Sequence, residues 1–220
     1  MKFFYLSLIP AVLAAPSVDF AERRQSGPQG IDVSHFQGTV DFAAVAANGL
    51  EFAFIKATEG TTFTDPSFSA NYDDATSAGL IRGAYHFAHP DSSSGADQAQ
   101  FFLAHGGGWT ADGITLPGVL DIEYNPSGAE CYGLSASAFT GRFPIIYTTT
   151  DWWTTCTGNS DAFGNDNPLF IARYASSIGT LPAGWDFATF WQYADSGPNP
   201  GDQDVFTGDS AGLGRMATGA

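Results

Sequence analysis

The sequence predicts an α/β fold, a (β/α) barrel whose last strands lack full helices. Three observations carry that expectation. Short runs rich in β-branched and aromatic residues recur between Gly, Pro and Asp punctuation, helix-like segments separate the earlier runs, and polar residues collect near the C-terminal ends of otherwise apolar runs. A doubly wound open sheet is the rival arrangement, since alternating strands and helices build either.

The chain opens with Lys2, an apolar run from Phe3 to Leu13, and the small pair Ala14 and Ala15. That pattern reads as a secretory signal peptide over residues 1–15, too short to span a bilayer and followed by polar sequence. Arg23 and Arg24 offer a dibasic processing site, so residues 16–24 read as a pro-segment and residues 25–220 as a single secreted, extracellular, soluble domain. The strand-like runs then follow: Gly30 to Phe36, Glu51 to Ala57, Leu80 to Ala88, Leu116 to Tyr124, Phe143 to Thr149, Pro168 to Ala175, Phe187 to Ala194 and a weaker Asp204 to Phe206. Helix signals lie between the early ones. Asp41 to Asn48 stops at Gly49, Pro66 to Ala78 stops at Gly79, and Ser94 to His105 starts on a serine suited to capping. After Phe143 the gaps shorten and helical signals fade.

The whole sequence carries a formal charge of −15, and removing residues 1–24 takes away three bases and two acids, leaving −16. So acidic a chain has no electrostatic reason to bind nucleic acid or an anionic membrane, and neither partner is expected. Aromatic residues at 15% argue against disorder, because they supply ample apolar surface for one core. Cys131 and Cys156 are the only cysteines, and in a secreted chain they are expected to form one disulfide.

The chemistry concentrates in Leu116 to Tyr124, a buried-strand pattern that suddenly carries Asp121 and Glu123. Positions two apart on a strand share a face, so both acids converge on one site. Neighbouring carboxylates in an apolar setting divide into a protonated donor and an ionised partner, the division that glycoside hydrolysis requires. The plainer alternative is an Asp-x-Glu triplet in a solvated loop. Polar tips on the other strands favour chemistry: Asp32 and Ser34, Lys56 and Glu59, Tyr85 and His86, Tyr147, Arg173 and Tyr174, and Trp191, Gln192 and Tyr193. Phe52, Phe54 and Phe190 are expected in the core. Tyr85, Tyr147, Tyr174, Trp191 and Tyr193 are expected in a cleft, where aromatic faces stack on sugar rings.

Other motifs fail on context. Gly208 to Gly212 fits G-x-S-x-G, but that elbow needs a following helix and a later histidine, and every histidine lies at or before His105; a Gly/Ser-rich tail is the expected structure. His86 and His89 would point to opposite faces of a strand, so no metal is expected, and no cofactor fingerprint is present.

Four segments in this order then acquire a joint meaning: Gly-Ile-Asp-Val-Ser-His-Phe-Gln-Gly at 30–38, Phe-Ile-Lys-Ala-Thr-Glu-Gly at 54–60, Gly-Ala-Tyr-His-Phe at 83–87 and Val-Leu-Asp-Ile-Glu at 119–123. With Ile-Ile-Tyr-Thr at 145–148, Trp-Gln-Tyr at 191–193 and Asp-Gln-Asp-Val-Phe at 202–206, the chain resembles the glycoside hydrolase family 25 muramidases, the Chalaropsis-type lysozymes, in a secreted fungal form. The resemblance implies a (β/α)5(β)3 barrel that hydrolyses, with retention, the β-1,4 bond between N-acetylmuramic acid and N-acetylglucosamine in peptidoglycan glycan strands. It implies Glu123 as general acid, Asp121 assisting on the same face, and Asp32 and Asp204 completing the acidic cluster; a monomer is expected. A chitinase-like hydrolase and an inactive sugar-binding barrel remain alternatives. One departure stands out. The family carries a long crossover helix after the catalytic strand, whereas only Cys131 to Arg142 remain here, with Ser135 to Phe139 the sole helical stretch. The barrel is therefore expected to be short one helix, as after an internal deletion, and less stable than a full-length relative.

Overall fold

A computed structural model describes residues 27–133 and 144–219. Its centre is a closed ring of eight strands: β1 (Gln29–Val33), β2 (Phe52–Glu59), β4 (Ile81–Phe87), β5 (Val119–Asp121), β6 (Ile145–Thr148), β7 (Leu169–Ala172), β8 (Phe190–Ala194) and β9 (Asp202–Phe206). The two-residue β3 (Phe63–Thr64) folds back on β2 outside the ring. Around the barrel the order is β1-β9-β8-β7-β6-β5-β4-β2, closed by pairing of β1 with β2. Neighbours are parallel except at β9, which runs antiparallel to both β8 and β1. The barrel expected from sequence is present, and the open sheet is excluded by that closure.

The inward-facing residues explain how the ring closes. Phe52 and Phe54 of β2 stand inside with Phe170 and Phe190, and the rings of Phe52 and Phe54 each lie 5.3 Å from Phe190. Gly30 and Gly83 make room for them, since a Cβ at either position would run into the Phe52 or Phe54 ring. Large rings thus fill the barrel floor, and the shorter polar side chains of the same faces fill its mouth.

Helices cover the outside. α1 (Phe42–Ala47) follows β1, α2 (Phe68–Ser77) precedes β4, and α3 (Gly95–Ala104) precedes β5. Asp41 and Ser94 cap α1 and α3, accepting from Ala44 N–H and Asp97 N–H. Two helices were not legible in the sequence. α4 (Thr150–Thr157) is rich in aromatic and β-branched residues with weak helix propensity, yet Thr149 caps it and buried Trp152 and Trp153 anchor it. α5 (Ser210–Thr218) replaces the expected Gly/Ser-rich tail: Asp209 caps it, and Leu213 and Ala217 bury its inner face beneath the barrel. A helix therefore does follow the G-x-S-x-G stretch, and the absence of any later histidine is what still excludes the serine-hydrolase reading.

Between β5 and β6 the described residues form a short 3-10 turn at Glu130–Gly133 and no α-helix. The expected helical stretch Ser135 to Phe139 and the expected leader over residues 1–24 lie outside the described residues. The disulfide joins Cys131 of that turn to Cys156 of α4 as expected, with Cα atoms 5.0 Å apart. It ties the chain just beyond the acidic strand to the outer layer. Among the described residues no helix is long and apolar enough to cross a membrane.

Candidate active site

The cleft is the polar upper layer of the same inward-facing rows that pack the floor. On β5, Val119 and Asp121 face inward, and Glu123 continues that alternation just past the strand end. Parallel pairing sets Asp121 beside Phe87 of β4 and Tyr147 of β6. Across the mouth stand Asp32 and Ser34 at the end of β1, Lys56 on β2 and Gln192 on β8. Together these line a cavity of about 190 Å³ with Phe36, Tyr85, Tyr147 and Asp202.

Of the expected acidic cluster, Asp32, Asp121 and Glu123 meet in this cavity, and Asp204 does not reach it. Because β9 runs antiparallel, its beginning, not its end, lies at the mouth: Asp202 pairs with Asp32, and Asp204 pairs with Gly30 one layer lower. Asp204 is completely buried beneath the site. Asp202 is the acid that the sequence reading missed; its only signal was sharing the two-residue strand period with Asp204.

The aromatic expectations divide on the same periodicity. Tyr85 and Tyr147 line the cavity, and half-exposed Tyr174 stands at its rim. The hydroxyls of Tyr147 and Tyr174 each donate to Gln192 Oε1 at 2.8 Å. This turns the amide so that Gln192 Nε2 donates to Asp32 at 2.7 Å and Asp202 at 3.1 Å. Trp191 and Tyr193 were expected in the cleft and are not there. With Phe190 and Gln192 facing in, both neighbours face the outer layer, where Trp191 donates to Arg173 C=O at 2.8 Å and Tyr193 donates to Gln29 Oε1 at 3.3 Å.

Lys56 is the cation of the cavity. It bonds Glu59 at 2.6 Å, and His89 Nε2 meets the other oxygen of Glu59 at 2.8 Å. Burial would raise Glu59, but hydrogen bonds from Lys56 and His89 outweigh it and hold its carboxyl below the usual range.

The central carboxyls shift the other way. Burial, then the charge of Asp202, pushes Glu123 up to about 7 against the pull of Lys56. Burial, then the charges of Glu123 and Asp32, raises Asp121 well above an ordinary carboxyl. Asp32 is pushed up to about 8 by burial and Asp202, and Asp202 to about 6 by burial and Asp195. Crowded acids in a partly dry cleft cannot all ionise, so the site retains protons at neutral pH. The more accessible of the central pair is Glu123, while Asp121 is buried below it. That arrangement offers a proton donor at the mouth and a polar partner beneath it.

The sequence profile of Glycosyl hydrolases family 25 matches residues 31–202. The chain is 49% identical over 209 residues to an N,O-diacetylmuramidase from Chalaropsis sp, covering 87% of this chain and 99% of that one. It is 48% identical over 223 residues to an N,O-diacetylmuramidase from Arthroderma benhamiae, with 95% and 94% covered. Among solved structures, a muramidase from Acremonium alcalophilum superposes with a TM-score of 0.84 at 58% identity, covering 88% of this chain and all of that one.

Proposed function

The chain belongs to glycosyl hydrolase family 25 and is a glycoside hydrolase of the lysozyme type, and we propose that it is a secreted, monomeric muramidase. Its substrate is the β-1,4 bond between N-acetylmuramic acid and N-acetylglucosamine in peptidoglycan, cleaved with retention. The observation that carries this reading is the pair Asp121, at the end of β5, and Glu123, just past it on the same face, together at the mouth of an aromatic-lined cleft.

Glu123 is the general acid. Its carboxyl, pushed up to about 7, holds a proton below neutral pH and sits where a leaving oxygen can reach it. Asp121 is buried and costly to ionise, which suits it to orienting the 2-acetamido group of the substrate more than to attacking carbon itself. The acetamido oxygen then forms the bond to C1 as the glycosidic bond breaks and the Glu123 proton passes to the leaving oxygen. Water subsequently opens that intermediate, returning its proton to Glu123, and two displacements at C1 retain configuration. Gln192, oriented by Tyr147 and Tyr174, holds Asp32 and Asp202 on the facing wall.

The test is release of new reducing ends from purified peptidoglycan, with chitin alongside, by the wild type and by Glu123→Gln. The wild type cleaves peptidoglycan, and the variant loses about 10²- to 10⁴-fold in kcat with an unchanged circular dichroism spectrum. Preferential release from chitin would favour a chitinase-like hydrolase. Binding of glycan by folded wild type without release would favour a sugar-binding barrel. Activity should also be favoured by acid or moderate salt, which lessen repulsion between an acidic protein and an anionic wall; a maximum in alkaline, low-salt buffer would contradict this.

A further inference from the structure

Phe36 is an apolar side chain that the fold holds in solvent. It is 80% exposed, yet the backbone carrying it is fixed from both sides. Ser34 Oγ accepts from Phe36 N–H at 3.2 Å, and Ser34 N–H donates to Gln37 Oε1 at 2.8 Å, a reciprocal cap on the short turn His35–Gln37. Next to it, His35 N–H and Nδ1 both meet Asp65 Oδ2, at 3.0 and 2.7 Å. Asp65 is buried and accepts from Ser67 N–H through its other oxygen at 2.9 Å. The turn after β1 is thereby locked to the segment before α2.

The ring itself contributes little to this scaffold. Its aromatic neighbour is the His35 ring, 4.2 Å away and tilted by 34°, and the Phe36 side chain lines the cleft with Asp32 and Ser34. Burying a phenyl ring stabilises a fold by roughly 1.5–3 kcal/mol, and an 80% exposed ring forgoes most of that. A rigid, flat, apolar surface at the end of a polar cleft matches the apolar face of a pyranose.

Resting on the muramidase reading, we propose that Phe36 is a stacking platform for a sugar ring of the glycan strand away from the scissile bond, across the mouth from Glu123. It therefore acts on binding of longer glycans and leaves the bond-breaking groups untouched. Preorganisation is the point of the locked turn: a platform already fixed loses little conformational entropy when a sugar settles on it.

The test uses the Glu123→Gln protein, titrated calorimetrically with N-acetylglucosamine–N-acetylmuramic acid di-, tetra- and hexasaccharides. Adding Phe36→Ala weakens binding of the longest fragment that reaches the platform by roughly tenfold, leaves the disaccharide unchanged, and leaves the melting temperature unchanged. Phe36→Trp restores the affinity. With Glu123 present, Phe36→Ala raises KM for long glycans more than for short ones. Equal affinity of Phe36→Ala and its parent for every length overturns the platform and leaves the muramidase reading standing. Failure of the parent to bind any of these glycans removes both.

Discussion

Inside the barrel, Asp121 of β5 and Tyr147 of β6 look into a compact cleft of about 190 Å³ whose walls are joined by hydrogen bonds through Gln192. On the outside of the same two strands, Leu120, Ile122 and Ile146 line a hollow of about 590 Å³, together with Phe102 and Leu103 of α3 and Trp153 of α4. One face is densely furnished, and among the described residues the other leaves a hollow between two helices. The difference separates what the site needs from what the barrel needs. Strand ends and their loops build the cleft, whereas the outer layer supplies the burial that keeps the strands together.

If that division is right, substitutions on the two faces should change different quantities. Glu123→Gln lowers the rate without lowering the melting temperature. Its counterpart outside is Trp153→Ala, which removes a ring 5.0 Å from Trp185 and 5.5 Å from Phe163, beside the hollow. The expected loss is about 3–5 kcal/mol of stability, with activity per folded molecule unchanged. Thermal unfolding beside an assay corrected for folded fraction checks both, and a fall in specific activity would break the division.

Reduction of the Cys131–Cys156 disulfide, or its double serine variant, sharpens the point because this link crosses from the acidic strand's loop to α4. Closing a 25-residue separation contributes about 3 kcal/mol in the chain-entropy model. The expected result is a lower melting temperature with kcat within a few-fold of wild type.

The cleft has its own, smaller effect on stability, with the opposite sign from ordinary surface acids. The Asp32 carboxyl moves from 3.8 to about 8 on folding. Between those values the folded protein keeps a proton that the unfolded chain has released, so stability is fully present below the lower value and declines as pH rises through the upper one. Glu123, at about 7, adds in the same direction. Melting temperature should therefore fall between about pH 4 and pH 8, and Asp32→Asn should flatten that fall and stabilise the protein at pH 8 by ~1–2 kcal/mol, while lowering activity. A melting temperature that climbs over this range would contradict the crowded-acid account. The smallest expected effect is that of Tyr174→Phe, which removes one of two donors to Gln192 Oε1. Activity should drop by about three- to tenfold, corresponding to roughly 1 kcal/mol, without a measurable change in melting temperature.

Sequence by itself determined the class of fold, because strand and helix signals alternate at spacings that only parallel crossovers satisfy, and it determined the central pair, because Asp121 and Glu123 must share a face wherever their strand lies. It also located the disulfide, two cysteines leaving one choice. Tertiary structure decided everything that depends on phase and direction. Whether Gln192 or its neighbours Trp191 and Tyr193 faced the cleft turned on which residues of β8 point inward, and a one-residue change of phase exchanges them all. Whether Asp202 or Asp204 joined the acids turned on the antiparallel course of β9, which puts the start of that strand at the mouth. α4 and α5 formed from segments of weak local preference, because a cap, a disulfide and a buried face outweigh propensity once the barrel is there to pack against. Local pattern fixes which residues lie together on an element, and only closure of the ring fixes which way that element runs and which of its faces looks in.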